Sequence, residues 1–239
     1  MTFANAVTLS GGDAAVSIDT TGAGAGNILF QSEVLTGGQA LTLDAGTAGN
    51  ITAESSITGG GAMTVIDGSV QQYSGAISVD SLDIQDATSS VTLDGAVTTQ
   101  TTIDINSGGS LTQNASVTAG TTLDYDSAGA LNINEEIAAT GTIDIDATGV
   151  TTVAEAGDIT AGGAVTFGAK KSGTLKTAGE LTTTDDNVTF TNAVTLQGDV
   201  AIDTGGTSAG NILFSSTVAT AGKNLTLDAG AKGLSLIHI

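Results

Sequence analysis

Leu123-Asp124-Tyr125, Leu131-Asn132-Ile133 and Ile143-Asp144-Ile145 each set one polar residue between two apolar ones, and short runs such as Ser127-Ala128-Gly129-Ala130 and Thr140-Gly141-Thr142 separate them. Alternation with a period of two is the pattern of a strand that buries one face. Outward from this stretch the pattern recurs on a fixed beat. Apolar-x-apolar triplets begin at Leu82, Ile103, Leu123 and Ile143, spaced 21, 20 and 20 residues, and a second set begins at Val91, Leu111, Leu131 and Thr151, each 20 apart. The members are uneven, since Leu111-Thr112-Gln113 and Thr151-Thr152-Val153 carry only one apolar end each. Gly, Ser, Thr, Asn and Ala fill the gaps, as in turns and tight bends. Apolar residues nowhere recur at i, i+3, i+4 and i+7 over three turns, so no amphipathic helix is expected.

A longer repetition encloses the short one. Asn5-Ala6-Val7-Thr8-Leu9 returns as Asn192-Ala193-Val194-Thr195-Leu196, an offset of 187. Ala25-Gly26-Asn27-Ile28-Leu29-Phe30 returns as Ala209-Gly210-Asn211-Ile212-Leu213-Phe214, and Leu41-Thr42-Leu43-Asp44-Ala45-Gly46 as Leu225-Thr226-Leu227-Asp228-Ala229-Gly230, both at 184. The difference falls between Leu9 and Ile18, in a Gly-rich stretch where a loop absorbs it.

Short strands at about 20 residues per cycle, with no helix between them, predict an all-β fold: a single parallel β-helix, or β-solenoid, with right-handed coils in which each strand pairs with its equivalent one coil away. Residues 1–233 then make roughly 11 coils, and at ~4.8 Å between strands a rod on the order of 50 Å. The lack of Pro fits an uninterrupted ladder, because Pro would remove a donor. Aromatics at 3% fit a narrow coil filled by stacked aliphatic side chains, with little room for rings. The hexapeptide period of a left-handed helix is missing, and so are nonapeptide calcium repeats; Gly11-Gly12-Asp13 comes nearest and lacks the Gly and Asp that should follow.

Composition removes other classes. A charge of -20 on 239 residues, with 40% apolar content and mean hydropathy +0.25, describes a folding chain rather than a disordered one. Twenty-five acidic residues against five lysines and no Arg argue against nucleic acid and anionic lipid as partners. No apolar run reaches the ~18 residues of a membrane span, so no membrane insertion is expected. Zero Cys rules out thiolate chemistry and leaves the redox compartment open. The start, Met1-Thr2-Phe3-Ala4-Asn5, lacks the regions of a signal peptide. The final six residues, Leu234-Ser235-Leu236-Ile237-His238-Ile239, hold the chain's one His and neither Gly nor Asp. They look like the translation of a transposon-end sequencing adapter, which makes residues 1–233 a solenoid fragment of a longer, metagenomic reading frame and 234–239 a non-native tail; the alternative is a native terminal strand.

Gly26-Asn27-Ile28-Leu29-Phe30, Leu41-Thr42-Leu43-Asp44-Ala45-Gly46, Asn187-Val188-Thr189-Phe190 and Leu225-Thr226-Leu227-Asp228-Ala229-Gly230 carry a resemblance. Over nearly all of residues 1–233 the sequence resembles the central repeats of large bacterial surface adhesins of the filamentous-haemagglutinin type, and related autotransporter passengers. The resemblance implies a parent exported across a Gram-negative outer membrane, secreted or held at the cell surface. Within it, this segment would be a stalk with no chemistry of its own. Its partners would be neighbouring coils of the parent protein and, for the parent, a host or cell-surface glycan or protein. A carbohydrate-binding or polysaccharide-degrading β-helix is the alternative.

The most informative side chains are acidic. Asp83, Asp104, Asp124 and Asp144 sit in the middle of their triplets and are expected to point outward and stack, with Gln85, Asn106, Asp126 and Asp146 in a parallel column two residues along. Unit charges ~4.8 Å apart repel by roughly 0.9 kcal/mol even in water. One reading makes Asp83, Asp104, Asp124, Asp144, Asp126 and Asp146 a row of weak divalent-cation sites, calcium by ligand hardness; the other makes them a solvated face that keeps edges apart. No other cofactor is expected.

Catalysis finds little support. Apart from His238 the chain has no group that titrates near neutrality, hence no Ser-His-Asp set. Asp185-Asp186 is the one carboxylate pair to check, and reads more simply as the turn before Val188; no enzyme is expected. Gly22-Ala23-Gly24-Ala25-Gly26 and Gly59-Gly60-Gly61 read as turns, since neither opens a helix that would receive a phosphate. Lys170, Lys171 and Lys176 read as a solvated loop. Asn50-Ile51-Thr52, Asn114-Ala115-Ser116, Asn187-Val188-Thr189 and Asn224-Leu225-Thr226 match the N-glycosylation pattern as a Thr-rich chain does by chance. An ice-binding Thr ladder is set aside because the best-registered outward column is Asp.

Overall fold

The computed structural model describes residues 1–10, 12, 15–22, 26–208 and 210–237. Among them every regular element is a β-strand, and the strands stack as a parallel β-solenoid with about 21 residues per turn. The chain forms two compact units, Met1–Gly120 and Thr121–Ile239.

In the first unit a coil lays down three short strands, except where two of them merge into one. Leu41–Asp44, Ile51–Ala53 and Ile57–Thr58 are one such set, and each pairs in parallel with its equivalent in the coil on either side. Coil length varies: the step from Val16 to its partner Leu41 is longer than the step from Met63 to its partner Leu82. Two strands, Ala62–Tyr73 (12 residues) and Ser81–Leu93 (13 residues), run through a corner without a break. Their ladders shift register at Ala87/Ser90, the kind of irregularity that lets a strand bend and twist more strongly. Gly59, Gly60 and Gly61 make a sharp corner with φ of 112°, 78° and 78°, and a Cβ on Gly61 would sit 2.1 Å from the carbonyl oxygen of Gln39. This triplet is therefore a turn, as the sequence suggests; of Gly22 to Gly26, residues 23–25 lie outside the described set, as do Gly11 and Asp13.

The second unit repeats the plan. Leu123–Ser127, Ile143–Ala147, Val165–Phe167, Val188–Phe190 and Ile212–Phe214 pair in order, so Ile143, Val165, Val188 and Ile212 form one buried column. Fully burying one such side chain contributes about 1.5–3 kcal/mol, and this repeated term outweighs the cost of ordering so many turns. Ser235–Ile237 adds a further strand against Ile212–Phe214. Backbone pairing is open to almost any sequence, so this placement is indifferent to where the tail comes from; Leu234 and Leu236 are exposed, while His238 and Ile239 lie outside the described residues.

The core departs from one expectation. Rings have room, provided they stack like everything else. Phe167, Phe190 and Phe214 lie at 5.3 and 4.5 Å between centroids, tilted by 9° and 7°. Phe3 and Phe30 stack at 4.9 Å, which accounts for all five phenylalanines. In-register parallel pairing imposes this geometry, because identical positions are held one strand spacing apart. Both tyrosines, Tyr73 and Tyr125, are fully buried, and burial pushes their hydroxyls well above the usual phenol range. Tyr73 Oη donates to Gln71 Oε1 at 3.0 Å, which satisfies one of the few buried amides.

Inward hydroxyls close the corners. Thr204 Oγ1 donates to the carbonyl of Gly210 (2.9 Å), Thr183 Oγ1 to that of Asp186 (2.7 Å) and Ser107 Oγ to that of Ser110 (3.0 Å). Each ties an inward hydroxyl to a carbonyl beside a bend.

The two copies of the long repeat share their local pairing but not their burial, since Leu41 and Leu43 are fully buried whereas Leu225 and Leu227 are only part-buried. Val16, Ile18 and Asp19 pair with Leu41, Leu43 and Asp44; Val200, Ile202 and Asp203 pair with Leu225, Leu227 and Asp228. In both, the aspartate ending a strand caps the turn. Asp44 Oδ1 accepts from Gly46 N (2.9 Å), and Asp228 Oδ1 from Gly230 N (2.8 Å).

Candidate functional site

The acidic columns expected from the sequence exist. Asp83 pairs in register with Asp104 in the first unit, and Asp124 with Asp144 and Asp126 with Asp146 in the second. Within each strand their neighbours, such as Leu123, Tyr125, Ile143 and Ile145, fill the core, so the aspartates alternate away from it.

Asp146 departs from the expectation of an open face. It is 0% exposed. The cover is the turn between Val165–Phe167 and Leu175–Thr177, which is longer than the turn between Ile143–Ala147 and Thr151–Val153. The extra length carries Lys170 and Lys171 over the preceding strand, and Asp146 Oδ1 accepts hydrogen bonds from their backbone N–H groups at 2.9 and 3.2 Å. Asn192 Nδ2 ties the far side of the turn by donating to the carbonyl of Lys171 (2.7 Å).

From this position the Lys170 ammonium reaches three carboxylates: Asp124 Oδ2 at 2.7 Å, Asp144 Oδ2 at 3.3 Å and Asp126 Oδ2 at 3.6 Å. Lys171 Nζ lies 3.5 Å from Asp126 Oδ1. The two lysines are thus counter-ions of the acidic ladder rather than a solvated loop, and Lys176 stands apart from them on a strand, between Thr152 and Thr195. Burial pulls the Lys170 amine down, but the hydrogen bond to Asp124 and the charges of Asp124, Asp144 and Asp126 prevail and hold it well above the usual lysine value. Burial, and then the charge of Asp146, raise Asp144 above the ordinary carboxylate range, with Lys170 opposing. Asp124 Oδ1, Asp126 Oδ1, Asp144 Oδ1 and Asp146 Oδ2 are buried and receive no hydrogen bond from the protein.

A second acidic ladder escaped sequence reading. Asp19 stacks on Asp44, and Asp44 on Asp67, in the first unit. Its coils are longer than those of residues 82–153, which hides it from a search at their period; the shared ending of Val16-Ser17-Ile18-Asp19 and Leu41-Thr42-Leu43-Asp44 was the available signal. Burial, then Asp44 and Asp86, raise Asp67, whereas hydrogen bonds from the Thr21 hydroxyl and N–H lower Asp19.

The remaining candidates resolve into architecture. Asp185 adopts φ 62° and grips the next coil, accepting from Ser208 N (2.7 Å) and Thr207 Oγ1 (3.2 Å), so Asp185-Asp186 is a turn. All four glycosylation-pattern asparagines span coils through their side chains: Asn50 Oδ1 accepts from Val70 N, Asn187 Oδ1 from Asn211 N, Asn114 Nδ2 donates to Asp94 and Asn224 Nδ2 to Asp199. A hydroxyl column also exists, since Thr58, Ser78, Thr98 and Thr118 pair in register. It is as well registered as the aspartates, contrary to expectation, but it is one rank wide. Among the described residues no three His, Cys, Asp or Glu side chains form a group that would hold a metal ion. Compared with known protein families, curated proteins and solved structures, the chain matches none.

Proposed function

We propose that this chain is a stalk segment of a secreted or surface-exposed bacterial adhesin or exoprotein, of the filamentous-haemagglutinin or autotransporter kind, that supplies reach and stiffness and no chemistry. The observation that carries the reading is the stacking of each strand on its equivalent one coil away within each unit, continued across a few register shifts, where most of the polar groups singled out as sites act as ties from one coil to the next. Asp185, Asn50 and Asn187 all serve in this way. The core supports it as well: the gap lined by Phe167, Leu175, Phe190 and Phe214 is only about 10 Å³, at the lower limit for a single water. A solenoid of stacked coils is stabilised mainly by nearest-neighbour contacts, which suits a spacer of variable length.

Two measurements test it. A glycan array and an activity screen on acidic polysaccharides should both be blank; specific binding or cleavage would favour a carbohydrate-active β-helix. The complete reading frame, assembled from overlapping reads, should place a secretion domain upstream or a membrane barrel downstream, and a cytoplasmic enzyme domain in either place would overturn the proposal.

A further inference from the structure

The cluster under the Lys170–Lys171 turn is not neutral. Asp124, Asp126, Asp144 and Asp146 bring four negative charges, and Lys170 and Lys171 return two positive ones, which leaves a charge of about -2 with the carboxylates ionised. The lysines also leave oxygens over. Lys170 Nζ lies against one oxygen of each of three carboxylates; the second oxygens of Asp124 and Asp144 are buried without a protein partner, and that of Asp126 meets only Lys171 Nζ, at 3.5 Å.

Asp146 sharpens the point, because it is wholly buried. Its Oδ1 holds the two backbone amides while its Oδ2 has no protein partner. It stands in register with Asp126 on the adjacent strand, one strand spacing from the carboxylates that the lysines contact. A buried carboxylate oxygen left without a partner is among the costlier features a protein can carry. A proton would satisfy one oxygen and remove one charge. A divalent ion would remove both excess charges and accept several oxygens at once, and an all-oxygen ligand set selects a hard ion.

We propose that the Asp126–Asp146 pair, beneath the Lys170–Lys171 turn, binds one hard divalent cation, calcium by its ligand chemistry. Two carboxylates with the remaining positions filled by water make a weak site, of about 10⁻⁴–10⁻³ M as in extracellular modules, consistent with the absence of a three-carboxylate cage among the described residues. Lys171, whose ammonium contacts Asp126 at 3.5 Å and whose side chain is partly exposed, swings outward to admit the ion.

The test is calorimetric titration of the whole chain with calcium against a sodium background of matched ionic strength, with terbium luminescence as a second readout. One equivalent should bind. Asp146→Asn should weaken binding by about tenfold or more, Lys171→Gln should tighten it by removing a competing charge, and Asp104→Asn should leave it unchanged. If Asp146→Asn does not fold, Asp126→Asn replaces it under the same criterion. Calcium effects no larger than those of sodium, undiminished binding in the folded Asp146 or Asp126 variant, or proton uptake on folding with no calcium dependence would each overturn the proposal.

Discussion

In the coils around Ile103 the second outward position is an amide, Gln85 then Asn106, and Gln85 Nε2 donates to Asp83 at 2.9 Å. In the coils around Ile143 that position is a carboxylate, Asp126 then Asp146, and a lysine turn crosses the ladder. The two compact units differ in the same sense. Met1–Gly120 holds eleven acidic residues and no basic one, while Thr121–Ile239 holds fourteen and all five lysines. Stacking a strand on its own kind repeats every charge at ~4.8 Å, a repulsion of roughly 0.9 kcal/mol per pair in water and more beside protein. The comparison teaches that a solenoid tolerates one such column by diluting it with amides and caps, and that a doubled column comes with its own cations.

The sharpest way to break the comparison is at the shared second position. Asp146→Ala strands two amides and a lysine turn, and should cost about 3 kcal/mol; Asn106→Ala, at the corresponding exposed position, should cost about 0.5 kcal/mol or less. Chemical denaturation of both variants checks this, and equal costs would mean that the turn contributes nothing. Next, Gln85→Asp with Asn106→Asp builds the doubled ladder in a unit without lysines. A loss of about 1–2 kcal/mol is expected at low salt, largely regained in about 1 M sodium chloride. Lys170→Gln should cost about 1 kcal/mol or less, because its side chain is 44% exposed and shares its charge among partners. That loss too should shrink with salt.

The smallest effect is in pH. Asp67 and Asp144 have folded-state values raised by burial. The native state therefore holds more protons than the unfolded chain between the ordinary carboxylate value and the raised one, and stability attributable to these groups increases as pH falls through that window. Asp19 and Asp199 are lowered by hydrogen bonds, from Thr21 and Asn224 respectively; their contribution is present above the ordinary value and lost at more acid pH. Mild acidification should thus raise the melting temperature before strong acid lowers it. Asp144→Asn and Asp67→Asn should each flatten the rise, and a monotonic fall in the wild-type protein would contradict these assignments.

Strands, their inward faces and the Asp83, Asp104, Asp124, Asp144 column were legible because residues 82–153 keep a nearly constant beat. Period alone then gives register. Three features were not legible. The Asp19–Asp44–Asp67 ladder and the Phe167–Phe190–Phe214 stack sit in coils longer than that beat, where corners of unequal length break the count while backbone pairing restores it. The lysine clamp joins Lys170 to Asp124, far apart in the chain. No local pattern announces that a turn two coils later will fold back over a strand; the only trace was two adjacent lysines in a chain that otherwise scatters its cations.

The pairing rule has a consequence for how the chain comes into being. Ile143 needs Leu123, Val165 needs Ile143, and Val188 needs Val165, each partner lying a single coil behind. A strand can therefore settle as soon as its predecessor has, without waiting for the far end of the polypeptide. Such a chain can assemble in the order in which it emerges from a ribosome or a narrow channel, the most recent coil serving as template for the next.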